Sequence, residues 1–296
     1  MSKAKEAQKE NMISTYSGEL FAMFGTLWLW MYWPSFNAAD WTGVERHRAV
    51  VNTFMSIVAS CITTYCISAA CDKKGRFTML HLQNATLAGG VAIGSSAIMI
   101  VHPFGAMLIG TFAGLVSVLC MRYVTPFLSK NRLADNGAAV NVHGVCGLLS
   151  GFISAIVAST ASPSGYGSFR RLYKVFPFMA PSNGTVQYEY FDIDKNDTIT
   201  EEFELEEIGI KNGYDWGRYE QAGAQVGGTL VTVVLAVVGG FMTGIFISSR
   251  LWNQPDRDKL FNDSAYFVPT YKENDDENDK KKGFVQKVKD AVQDAS

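Results

Sequence analysis

Few residues in this sequence are placed to do chemistry, and the first of them is His143. It lies in Asn141-Val142-His143-Gly144-Val145-Cys146-Gly147, within a stretch, Asn136 to Phe169, that holds no Asp, Glu, Lys or Arg. Ionisable groups held away from water are costly and usually face a pathway or a partner. A neutral imidazole accepts a hydrogen bond at one nitrogen and donates one at the other, which suits passing on a small polar solute. The same ring serves as a hydrogen-bonded packing residue, so both roles stay open. Asp135 precedes the same stretch, where a negative charge suits a helix N-terminus. Phe36-Asn37 closes an aromatic run of Trp28, Trp30, Tyr32 and Trp33; aromatic residues at a membrane boundary are more often anchors than gates. Asn52 is expected to hydrogen-bond between helices. His81 reads as a solvated boundary residue, and His47 and His102 as loop residues.

The remaining patterns exclude several classes of function. Asp192-x-Asp194-x-Asn196 imitates a calcium loop, but its sixth and twelfth places hold Asp197 and Phe203 where such a loop needs Gly and Glu. Cys61, Cys66, Cys71, Cys120 and Cys146 all fall in apolar stretches without metal-ligand spacing, and read as small buried hydrophobes. No metal site, cofactor, catalytic residue or nucleic-acid partner is expected.

The elements that must position these residues are set by the distribution of charge. The whole chain is ordinary: 296 residues, 48% hydrophobic, 18% charged, formal net charge −2. Yet Leu20–Ala39, Ala49–Cys71, Thr78–Met121, Asn136–Phe169 and Gln221–Ser249 contain no Asp, Glu, Lys or Arg. A span needs about 20 mostly apolar residues to cross roughly 30 Å of hydrocarbon. The third stretch has room for two passes, broken near His102-Pro103. A soluble core helix would instead carry charge on its wet side every turn or two. The expected fold is all-α: a polytopic membrane bundle of six transmembrane helices. The third is expected over His81–Val101, the fourth from Pro103, the fifth over Val140–Ala161 and the sixth over Ala222–Ser248.

Basic residues follow the second, fourth and sixth spans: Lys73, Lys74 and Arg76; Arg122, Lys130 and Arg132; Arg250, Arg257 and Lys259. The positive-inside rule then puts both termini in the cytoplasm and the loop of about 162–220 outside. That loop carries Asn183-Gly184-Thr185 and Asn196-Asp197-Thr198, both glycosylation acceptors in form; Asn84 and Asn262 head the same pattern on the wrong side. Gly-x-x-x-Gly recurs at Gly90/Gly94, Gly110/Gly114, Gly147/Gly151, Gly223/Gly227 and Gly240/Gly244, which reads as close packing of helices. In the tail, Phe284, Val288, Ala291 and Val292 would share one helical face, although a solvated tail is the simpler reading.

At these residues the chain resembles the Rhesus glycoprotein branch of the ammonium transporter family. The resemblance is carried by Phe24-Gly25-Thr26-Leu27-Trp28-Leu29-Trp30-Met31-Tyr32-Trp33-Pro34-Ser35-Phe36-Asn37 and His81-Leu82-Gln83-Asn84-Ala85-Thr86-Leu87-Ala88-Gly89-Gly90. Tyr123-Val124-Thr125-Pro126-Phe127-Leu128 and Asn141-Val142-His143-Gly144 complete it, in family order and spacing. It implies the second inverted repeat of the transporter fold plus a C-terminal helix. The membrane domain then covers 19–252, between a cytoplasmic lead-in, 1–18, and a cytoplasmic tail, 253–296. By position, His143 matches the second of the family's paired pore histidines, Phe36 one of two phenylalanines at the outer mouth, and Asp135 the acidic residue near the inner end. The family's first repeat, with the partner histidine and the other gate phenylalanine, has no counterpart in these residues. The implied function is ammonium/ammonia transport in the plasma membrane by a homotrimer, or by a hetero-oligomer with full-length relatives, without covalent chemistry. The alternatives are a non-transporting modulatory subunit of such trimers, or a membrane-anchored binding module displaying the 162–220 loop.

Overall fold

The computed structural model describes residues 14–131, 133, 135–192, 197–249, 251–256, 259, 260 and 262. The chain divides into two units, Thr15–Ser249 and the two terminal segments together. In the terminal unit Lys259 pairs with Asp256 at 3.0 Å. The tail residues from Phe284 onward and Asn196 lie outside the described residues.

Helix α1, Tyr16–Asn37, opens where the Thr15 hydroxyl accepts from Gly18 N and Glu19 occupies the first turn, which suits the positive end of the helix dipole. Helix α2, Gly43–Cys71, ends at Asp72, whose carboxylate accepts from the N–H groups of Lys74 and Arg76 around a turn that needs left-handed Gly75. The Arg76 side chain hydrogen-bonds the same carboxylate and, with the backbone bonds, pulls its pKa down to about 2. Helix α5, Pro103–Lys130, starts on Pro103, whose missing N–H has no helical acceptor to serve at that place. Helix α6, Cys146–Ser159, continues a π-helical turn over Val140–Val145. Helix α9, Arg218–Ile247, is the longest. Among the described residues, four stretches are long and apolar enough to cross a membrane: α2, α5, Val140–Ser159 and α9. α1, at 22 residues, has the length but is not among them.

The third uncharged stretch departs from the expected continuous helix. It forms two short helices, α3 over Met79–Asn84 and α4 over Ala88–Ile93, and a 3₁₀ turn over Gly94–Ser96. Breaking the helical ladder frees carbonyls, and in hydrocarbon each free carbonyl costs several kcal/mol unless protein satisfies it. Side chains of α1 and α2 do so. Thr26 donates to Gln83 O at 3.0 Å, Ser60 to Ala85 O at 2.7 Å, Ser56 to Gly89 O at 2.8 Å and Asn37 to Gly90 O at 2.9 Å. Asn52, 1% exposed, donates to both Ala97 O and Ile100 O at 2.8 Å. His81, expected in water, is buried with Nδ1 3.0 Å from the Ser68 hydroxyl.

Glycine sets the closest approaches. A Cβ on Gly110 would stand 2.0 Å from Ser56 O, and one on Gly114 2.7 Å from Ser60 O, so α5 lies backbone to backbone on α2. Gly151 instead makes room for the Thr229 side chain, whose hydroxyl would lie 2.1 Å from a Cβ, where α9 packs on α6. Gly223, Gly227, Gly240 and Gly244 meet nothing within 4 Å.

The 162–220 loop is folded, and it makes the chain mostly helical where an all-α fold was expected. Short helices α7, Pro163–Tyr166, and α8, Phe169–Val175, precede an antiparallel pair, β1, Thr185–Asp192, and β2, Asp197–Glu204, with Val186 opposite Phe203. Leu172, Phe176, Val186 and Leu205 are buried together. The loop is tied down by Lys174, which pairs with buried Glu45 of α2 at 2.5 Å, and by Tyr166, which donates to Met99 O at 2.6 Å. Burial pushes the Tyr166 phenol up to about 12. Places six to twelve of the imitated calcium loop lie in β2, an extended strand.

Candidate functional site

His143 sits on the π-helical turn, which carries one residue more per turn than an α-helix and so turns side chains off the regular face. The turn is held from below. Asp135 accepts from Val140 N at 2.9 Å and from the Asn141 side-chain amide at 2.8 Å, and Asn141 also donates to the Thr125 hydroxyl of α5 at 2.6 Å. Gly137 and Ala138, both at positive φ, make the bend that brings Asp135 back to the start of the turn.

The imidazole lies nearly parallel to the indole of Trp33, with centroids 6.2 Å apart and 16° between planes. Trp33 in turn meets Phe36 edge-on at 6.2 Å. α1 thus presents two aromatic rings to the histidine, three residues apart on one helix face. The indole is fixed from behind by Gly90, where a Cβ would come within 2.8 Å of the ring. Among the described residues nothing hydrogen-bonds to the His143 imidazole, and its side chain is exposed.

Two cavities meet at this ring. One, of about 680 Å³, is lined by Phe36, Trp33, Asn37, Ser95, His143 and Ser150. The other, of about 660 Å³, lies between α6 and α9 and is lined by His143, Leu148, Ser154, Gln225, Thr229 and Val233 among others. Ser95, His143 and Gly147 border both. The first includes the Asp40 carboxylate beside its rings and amides, whereas the walls of the second are mainly apolar with a few hydroxyl and amide groups. Such a space takes a small neutral solute and holds it weakly.

Of the residues expected from sequence, Phe36 and His143 share a cavity, bridged by Trp33. Asp135 supports the turn below the histidine without lining either space, and Asn52 anchors the broken helix. Asn183 is exposed on the 162–220 loop and accepts from Thr185 N at 3.1 Å. Sequence reasoning passed over Trp33 as a link, Ser95 with its Ser150 partner at 2.9 Å, and Gln225, which lies 3.1 Å from Ser154. Gln225 carried a usable signal, an amide inside an uncharged helix.

A family model described as "Ammonium Transporter Family" matches residues 1–259. The Ammonium transporter Rh type C proteins of Pan troglodytes and Homo sapiens are each 38% identical over 264 residues, covering 88% of this chain and 48% of the relative. That of Rattus norvegicus is 36% identical, covering 88% and 47%. The chain therefore spans about half the length of the curated relatives it matches. A solved structure of Nitrosomonas europaea Rh50, described with the mechanism of conduction by the Rhesus protein family of channels, aligns with a TM-score of 0.62 at 26% identity. That alignment covers 95% of this chain and 56% of the other.

Proposed function

The chain belongs to the Ammonium Transporter Family, and from that premise we propose that it forms the His143-bearing wall of an Rh-type path for ammonia. The observation that carries this reading is the state of His143. A packing histidine would have its nitrogens engaged, whereas among the described residues this one stacks on Trp33 with both nitrogens unclaimed and borders the apolar cavity between α6 and α9. Ammonium itself is poorly suited to such a space, because moving an unpaired charge out of water costs many kcal/mol. It passes its proton to bulk water at the mouth, beside Phe36, whose ring attracts a cation before desolvation. Neutral ammonia then accepts from one imidazole nitrogen and donates to the other as it passes. No bond of the solute other than N–H changes, so the function is conduction. Asp135 and Asn52 act at one remove, holding the π-helical turn and the end of the broken helix.

In this reading the chain makes six passes: the four long apolar stretches, α1, and the broken α3–α4 segment. Both termini are cytoplasmic, the 162–220 loop lies outside the plasma membrane and carries glycans at Asn183 and Asn196, and the chain works as a homotrimer or beside full-length relatives. The exposure of His143 and of nearly all of α9 favours a wall completed by another chain. Vesicles holding these 296 residues alone are therefore expected to pass methylamine or ammonia no faster than empty vesicles. Co-reconstitution with a full-length Rh relative is expected to change flux in a way that His143→Ala abolishes. Flux indifferent to both the chain and that substitution overturns the proposal.

A further inference from the structure

Three aromatic rings stand together on the outer loop, apart from either cavity. Phe178 lies 5.2 Å from Tyr214 and 5.0 Å from Trp216 between ring centroids. Apolar rings on a loop usually turn inward, yet Phe178 is 45% and Tyr214 67% exposed. The cluster is built rigidly. Phe178 O accepts from the N–H groups of both Tyr214 and Trp216 at 3.1 Å, and Ala180 O accepts from Asp215 N at 3.1 Å. Asp215 takes a left-handed φ of 57°, an uncommon state for a residue other than glycine, and its carboxylate accepts from Ser182 N at 3.0 Å. Gly213 is required in the same turn, because a Cβ there would lie 2.2 Å from Ala180 O. This backbone fixes Tyr214 and Trp216 on either side of a strained residue, both against Phe178.

The next residues are Arg218, whose guanidinium lies 5.0 Å over the Tyr219 ring, and Tyr219 itself, 69% exposed. They form the first turn of α9, and the chain then runs without charge from Gln221 to Ser249. At 1.5 Å per residue, Tyr219 stands about 5 Å along the axis from the first apolar residues. The polar layer on each side of the hydrocarbon is itself about 5–7 Å thick. Tyr and Trp favour that layer, with the ring body toward the chains and the polar edge toward water. Arg218 supplies the charge that complements a lipid phosphate.

We propose that Phe178, Tyr214, Trp216 and Tyr219, with Arg218, form a rigid foot by which the folded outer loop rests in the headgroup layer of the outer leaflet. The partner is the lipid surface. The proposal rests on α9 as a membrane span, and the test separates the two. In nanodiscs the emission of Trp216 is isolated as the difference between the wild type and Trp216→Phe, using phosphatidylcholine brominated at shallow or deep acyl positions. Trp216 is expected to lose intensity most with shallow bromines and to resist iodide in the water. A Val234→Trp variant, placed in the middle of α9, is expected to be quenched by deep bromines. If Val234→Trp behaves so while Trp216 answers to iodide and not to bromines, the span stands and the foot is refuted. If Trp216 answers to neither, a protein surface covers the cluster and the foot is refuted as well. A Val234→Trp signal indifferent to deep bromines and quenched by iodide in the water removes the span, and the foot with it.

Discussion

The contact of α5 with α2 gives the sharpest test of how this chain packs. At Gly110 the atom in the way of a Cβ is a main-chain carbonyl, Ser56 O at 2.0 Å, with Ser56 C and Cα at 2.7 and 2.8 Å. No side-chain rotation relieves that clash, so Gly110→Ala must drive the helices apart by more than 1 Å to reach an ordinary contact. Overpacking of this kind costs about 1–3 kcal/mol, and a rigid obstacle belongs at the upper end. Alanine recovers about 1 kcal/mol of helix propensity over glycine, which leaves a net loss of about 2 kcal/mol. The separation also strains the bonds from Ser56 to Gly89 O and from Asn52 to Ala97 O, which cross between α2 and the broken helix beside α5. Gly223→Ala is the control, since a Cβ there meets nothing within 4 Å and should be neutral or slightly stabilising. Both are measured by reversible unfolding in mixed detergent micelles, following tryptophan fluorescence. Gly110→Ala as stable as the wild type, or Gly223→Ala equally destabilised, would show that the helix crossing is wrong.

Asn52→Leu leaves two buried carbonyls without donors and should cost about 2 kcal/mol or more in the same assay, at about 1–3 kcal/mol for each unsatisfied group. Asp135→Ala removes the acceptor for Val140 N and is expected to cost about 1 kcal/mol, as caps do, while loosening amide-exchange protection around His143. The Asp72 carboxylate, drawn down to about 2 from an ordinary 3.8, gives the α2 exit turn a contribution present above about pH 3.8 and lost as pH falls toward 2. Carboxyl NMR of that residue should therefore titrate near 2, and a titration at the ordinary value would remove the contribution. Expression with endoplasmic-reticulum membranes should give a glycosylated species that Asn183→Gln shifts down on a gel; a lumenal C-terminal tail would reverse the assigned orientation.

The long apolar helices were legible because absence of charge over 20 or more residues has few explanations in water. The break in the third stretch was hidden for the same reason. A straight and a broken helix in lipid have equally uncharged sequences, and what permits the break is the row of donors on other helices: Thr26, Asn37, Asn52, Ser56 and Ser60. His81 was misread because its boundary position says nothing of Ser68, thirteen residues earlier, turning toward it. The β1–β2 pair did leave a trace in the alternation Val186-Gln187-Tyr188-Glu189-Tyr190, which a search for apolar helices passes over. His143 stood out by type and position, and Phe36 only by its match to the family pattern, but the indole that lies between them depends on the rotation of α1 against the π-helical turn, a tertiary fact.

Several polar residues of the membrane stretches separate by their remaining hydrogen-bonding capacity, which buried Thr64, Ser117 and the Trp33 indole N–H also retain. Asn37, Asn52, Ser56, Ser60 and Thr26 each meet a carbonyl of the broken helix, so their polarity is engaged beside that break. Asn141 is engaged below the turn by Asp135 and Thr125. His143 keeps both nitrogens, borders two spaces and rests on a ring that takes no hydrogen bond from it. Polarity in a membrane helix is therefore weak grounds for a functional role until its local partners are counted. Filling the imidazole's place with Leu tests the distinction. His143→Leu should leave unfolding stability within about 1 kcal/mol, because no buried partner loses a bond. Asn52→Leu should lose far more, and the reverse ranking would mean that the histidine is the structural residue.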